Sequence, residues 1–175
     1  MFPSEGAGRI LALVHLLLLI VLWVVPLVYY DQLPDQVAVH FDRHGQPDRY
    51  APKSSLTFWG IPIVGTVMVI LSFLLLRFPQ TFNHPRKREV KELPPDLREP
   101  VYDILRSMML AIFICMDATM IAVEYLIVAS AMSGTMQMNW PLVLVPALLP
   151  LALLIVYLPK IGRKVDEMKA LAASR

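Results

Sequence analysis

YDQLPDQVAVHFDRHGQPDRYAPK, residues 30–53, is a polar stretch rich in turn residues that lies between two apolar runs. The run before it, Ile10–Tyr30, and the run after it, Leu56–Leu76, each approach the roughly 20 residues a helix needs to cross a bilayer. Within the stretch, Leu33-Pro34-Asp35 breaks the first helix. Gln36–Phe41 alternates polar and apolar residues as a short strand does. Gly45 and Pro47 punctuate a turn over residues 42–48, and Ser54 or Ser55 suits the N-cap of the next helix.

The rest of the chain repeats the apolar theme. Of 175 residues, 57% are hydrophobic, above the roughly 45–50% usual for soluble domains. Mean hydropathy is +0.57. Helix three is expected at about 103–131 and helix four at about 140–158, the latter bent or unwound by Pro146 and Pro150. The fold class expected is an all-α integral membrane protein: a four-helix transmembrane bundle with a small extracytoplasmic strand-and-turn cap, residues 31–55, between helices 1 and 2. Residues 77–100 read as a connector broken by prolines. Residues 160–175 read as a tail whose Ile161, Val165, Met168 spacing suits a short amphipathic surface helix. The apolar run at the N-terminus is longer than a signal h-region and lacks an A-x-A-like site, so it reads as a retained helix.

Charge sets the expected orientation. Thirteen of the sixteen Lys and Arg fall at Arg9, in the 77–106 region or in the tail, and only Arg43, Arg49 and Lys53 fall on the other side. The 133–139 turn adds none. This bias places both termini in the cytoplasm and the 30–53 loop outside a cytoplasmic membrane. The net charge of +2 gives no sign of a nucleic-acid partner. The lone cysteine, Cys115, lies in an apolar run and reads as a buried thiol.

The stretch Leu33 to Lys53 resembles the domain of unknown function 1648 family (DUF1648). The resemblance rests on Leu33, Pro34, His40, Phe41, Asp42, Gly45, Asp48, Tyr50 and Lys53, without gaps. Its members are bacterial or archaeal membrane proteins, and the domain forms the N-terminal part of SdpI-type immunity proteins, which protect a producer cell from a secreted toxic peptide. The resemblance implies a non-enzymatic binding or immunity-type protein whose outer loop meets a peptide or another membrane component. The Asn-Gly-Pro-Trp elements of the SdpI-type second half have no counterpart here, where residues 101–175 offer only Asn139-Trp140-Pro141.

Three groups of residues carry candidate chemistry. His40, Asp42 and His44 share a strand face if the strand continues, which would suit a metal ion, while Gly45 and Pro47 argue that it ends. The alternative is that His40 and Asp48 hydrogen-bond the loop's own backbone and fix its turn. Asp117 and Glu124 are seven apart on one helix face and so must pair, carry a proton or meet water. Their candidate partners are His15, Thr66, Ser72 and Thr119, and Glu124 is near enough to the outer interface to reach water. This leaves open a small proton-coupled transporter, or an accessory subunit of a larger membrane complex, beside the binding reading. The basic connector and tail suit anionic headgroups. No G-x-S-x-G, H-E-x-x-H, P-loop or C-x-x-C occurs, so neither an enzyme nor a cofactor is expected.

Overall fold

The computed structural model describes residues 6–134 and 138–175, and residues 1–5 and 135–137 lie outside that description. Among the described residues four helices are long and apolar enough to cross a membrane, and a two-stranded sheet stands between the first two. The expected fold class is thereby met: this is a four-helix membrane bundle with a hairpin cap.

Helix α1 (Gly6–Tyr29) carries Pro26 in its last turn and passes into a single 3-10 turn at Tyr30–Gln32. Strands β1 (Gln36–Phe41) and β2 (Pro47–Pro52) pair antiparallel, with Phe41 opposite Pro47 and Gln36 opposite Pro52. The register slips between Ala38 and His40 and again between His40 and Phe41. Helix α2 (Leu56–Leu76) starts at Ser55, whose hydroxyl accepts from the Phe58 N–H. A short α3 (Lys87–Glu92) follows, then α4 (Pro95–Ser133) and α5 (Trp140–Ala173).

Helix α4 is the axis of the bundle. Its 39 residues span about 58 Å at 1.5 Å per residue, twice a bilayer's hydrocarbon thickness. It starts eight residues earlier than the sequence suggests, with Pro95 at its first position, where a missing N–H costs no bond. Gly134 ends it in the left-handed conformation, φ 67°. The lipid-facing flanks of α1, α2 and α5 stay apolar and exposed, as at Leu17, Ile70 and Ile155.

Helix α5 also differs from expectation. It runs without interruption through Pro146, Pro150 and Pro159 and takes in the tail, so the amphipathic segment is not a separate surface helix. Its apolar stripe Ile161, Val165 and Met168 packs on Val90, Leu97, Val101 and Leu105 of α3 and α4. A helix partner covers that stripe in place of lipid. Ion pairs fasten the same end: Arg86 binds both Glu89 and Asp166, and Lys169 reaches Glu89 at 3.1 Å. Arg106 is buried there. It donates to the Leu76 carbonyl at the end of α2 and to Asp103 and Glu99.

Gly65 lets α1 and α2 approach closely, since a Cβ there would collide with a Leu22 methyl carbon. Gly60, five residues earlier on the same helix, would place a Cβ with nothing within 4 Å and plays no such part.

Candidate functional site: the hairpin cap and the intramembrane polar chain

The cap is held by its own signature residues. The Asp42 carboxylate accepts from the backbone N–H of His44 at 2.8 Å and of Gln46 at 2.9 Å, closing the turn. The Gln46 bond, followed by that of His44 and the nearby cationic groups, holds the Asp42 carboxyl below the usual carboxylate range. Gly45 sits at φ 78°, where a side chain is strained. Its carbonyl accepts from the Met138 N–H at 2.8 Å, which ties the hairpin to the start of α5. Leu33, Val37, Ala38 and Phe41 bury against Phe58, Ile127 and Val128. Lys53 donates to the carbonyls of Tyr30 (3.2 Å) and Leu33 (2.7 Å), the last acceptors of the first helical segment, and lies over the Tyr30 ring.

His40 and Asp48 do something else. Their side chains bond each other, Nδ1 to Oδ1 at 2.6 Å, and both remain about half exposed. The expectation that they fix the turn through backbone bonds is not met; Asp42 has that task because its carboxylate is next to the N–H groups that need an acceptor. The His40, Asp42, His44 trio does not converge. Asp42 is turned to the backbone, His40 to Asp48, and His44 accepts from Arg43 Nε at 3.1 Å. Among the described residues no group of three His, Cys, Asp or Glu could hold a metal ion. Tyr50 stands 58% exposed on β2.

A second polar group crosses the bundle interior. His15 on α1 bonds Asp117 on α4, Nδ1 to Oδ2, at 2.5 Å, and its Nε2 lies 2.9 Å from Ser72 Oγ on α2. All three residues are buried, and the imidazole lies beside the rings of Phe73 and Phe113. Ser72 donates its hydroxyl proton to the Val69 carbonyl at 2.7 Å, so it accepts from the imidazole Nε2–H. One proton then remains for Nδ1 and Oδ2 to share. The group is neutral as a whole whichever atom holds that proton, which suits an apolar setting.

Of the candidate partners named for the carboxyls, His15 and Ser72 serve Asp117. Thr66 and Thr119 are engaged elsewhere: each donates to the carbonyl four residues back, and Thr66 also accepts from Trp23. Glu124 is 1% exposed, so it does not reach water at the interface as its position suggests. Neither of its carboxyl oxygens has a hydrogen-bond partner among the described residues.

Sequence reasoning missed Met138 and gave Arg106 no role beyond its charge. Nothing local marks Met138. Glu99, Asp103 and Arg106, at helical spacings of four and three, were the available signal for the Arg106 cluster.

The fold and these sites define a multi-pass α-helical membrane protein with an ordered hairpin between its first two spans. Residues 17–66, from the middle of α1 to the middle of α2, match the family model described as Domain of unknown function (DUF1648). The resemblance carried by His40, Gly45 and Asp48 is borne out by that match. The chain is also similar to a protein of Archaeoglobus fulgidus described as "Uncharacterized protein", 26% identical over 173 residues and covering 94% of each chain. No solved structure matches.

Proposed function

We propose that the protein is a non-enzymatic binding protein of the cytoplasmic membrane, with its hairpin outside and both termini in the cytoplasm, and that the hairpin meets a peptide or a membrane partner. The orientation is supported by the thirteen-to-three division of Lys and Arg. The immunity-type role is the form of binding that the SdpI-type resemblance suggests.

One observation carries the binding reading: the signature residues divide into builders and exposed residues. Leu33, Phe41, Asp42, Gly45 and Lys53 each fold or dock the cap. His40, Asp48 and Tyr50 stay at its surface. A paired imidazole and carboxylate, with an exposed phenol two positions from Asp48 along β2, offers charge, hydrogen bonds and an aromatic face on one hairpin, the usual makings of a recognition surface.

A photo-cross-linking residue in place of Tyr50, introduced in the native cell, tests this. The expected result is an adduct with one extracytoplasmic or membrane partner that His40→Ala and Asp48→Ala each remove while insertion stays normal. Adducts indifferent to both substitutions would overturn the reading. Orientation is checked by cysteines placed at Arg43 and Arg88: an impermeant reagent applied to intact cells should label the first and spare the second, and the native Cys115 is buried and gives little background.

A further inference from the structure

We propose that Glu124 is an intramembrane proton-exchange site, a carboxyl that takes up and releases one proton inside the bundle beneath the hairpin. This is independent of what the hairpin binds.

Position comes first. Val123, Ile127 and Val128 belong to the apolar cluster that seats β1 on α4. Glu124 lies one helical turn inward from Ile127 and Val128. Asp117 lies two turns further in, about 10 Å along the axis. Glu124 therefore stands between the cap and the His15–Asp117 pair.

Its surroundings supply no counter-charge. The titratable groups of α1 are Arg9, His15 and Tyr29, and His15 is already taken by Asp117 and Ser72. Helix α2 has none from Leu56 to Leu76. In α5 the membrane half, residues 140–158, carries only Tyr157. On the hairpin, His40 is turned to Asp48, while Arg49 and Tyr50 are exposed and Lys53 is bound to the Tyr30 and Leu33 carbonyls. On α4 itself, Tyr125 is exposed at its side and Arg106 is held by Glu99 and Asp103 at the far end. The His15–Asp117 pair is neutral with its shared proton and cannot balance a further negative charge.

An ionised Glu124 would thus be an uncompensated charge at membrane depth, and such groups are neutralised or functional. The neutralising cation has to fit. Two cavities between the helices are lined by other residues, one by Leu18, Tyr125 and Leu142 and one by Val64, Met116 and Ala147 among others. Among the described residues no group of three His, Cys, Asp or Glu is placed to hold a metal ion. A proton needs neither cavity nor extra donors. The step is simple: the Glu124 O–H bond breaks, its electron pair stays on the carboxylate, and a water molecule admitted to the carboxyl by transient opening of the packing takes the proton as hydronium; the reverse restores the acid. An apolar residue would fill the position without leaving a polar group unpartnered, so packing alone gives no reason for a carboxyl here.

Infrared difference spectroscopy of the full-length protein in lipid nanodiscs tests the proposal over about pH 5 to 10, the range reached by buried carboxyls. The expected result is a protonated-carboxyl C=O band that fades reversibly as pH rises. It should shift on ¹³C-glutamate labelling, be missing in Glu124→Gln, and lose its isotope shift in Glu124→Asp while keeping its pH response. A band that never titrates, or one that persists unchanged in Glu124→Gln, would overturn the proposal, as would a labelled wild-type spectrum without a glutamic-acid band.

Discussion

The Met138 N–H donates to the Gly45 carbonyl at 2.8 Å, and a Cβ on Gly45 would lie 2.9 Å from the Met138 carbonyl oxygen. The two backbones touch because position 45 has no side chain, and the turn itself needs φ 78°. One glycine thus serves the hairpin's conformation and its docking to the start of α5. Gly45→Ala is expected to destabilise the protein by about 1–3 kcal/mol. Thermal unfolding in detergent, with Gly60→Ala as the control for a glycine that meets nothing, measures it.

Lys53 closes the other side of the cap. Lys53→Met keeps much of the apolar stem but takes the ammonium donor from both carbonyls, leaving Tyr30 only the Leu33 N–H at 3.3 Å. The expected cost is about 1–3 kcal/mol. Removing Asp35, fully exposed and 4.0 Å from the same ammonium, should cost almost nothing. Equal losses from the two substitutions would contradict this account.

His15 and Asp117 should behave as one unit. His15→Ala leaves a buried carboxyl without its partner, at a cost of about 3 kcal/mol. His15→Leu combined with Asp117→Leu should recover most of that loss, because two apolar side chains suit the site better than one orphaned acid. Ser72→Ala should cost only about 1 kcal/mol. A double-mutant cycle on chemical unfolding in micelles gives the coupling.

The opposite end of the bundle should respond to acid. The side-chain bonds from Arg86, and then Lys169, hold the Glu89 carboxyl down to about 2, below its ordinary 4.5. A lowered value means that the ionised, paired form stabilises the fold. That contribution is complete above about 4.5 and is lost as pH falls toward about 2. Proteolysis of the α5 end, read against pH, should therefore accelerate in that window. Arg86→Ala should raise cleavage already at neutral pH, since it removes the links to both Glu89 and Asp166.

Local information carried the sequence a long way. Hydropathy over twenty residues is a property of each segment alone, so the four spans were legible with no knowledge of their neighbours. The hairpin was legible too: Gly45 and Pro47 mark its turn, and its spacing matches a family. The seven-residue interval between Asp117 and Glu124 placed both on one helix face. Their fates were not legible there. Asp117 meets His15 across 102 positions of chain, and only the packing of α1, α2 and α4 decides that it has a partner while Glu124 has none among the described residues. The same holds for Gly45 and Met138, and for the tail's apolar stripe, which suits lipid and protein equally until α3 and α4 cover it. Segment type is set by free energies summed along the chain, whereas the pairing of buried polar groups is set by which faces meet, and that is settled only when the bundle closes.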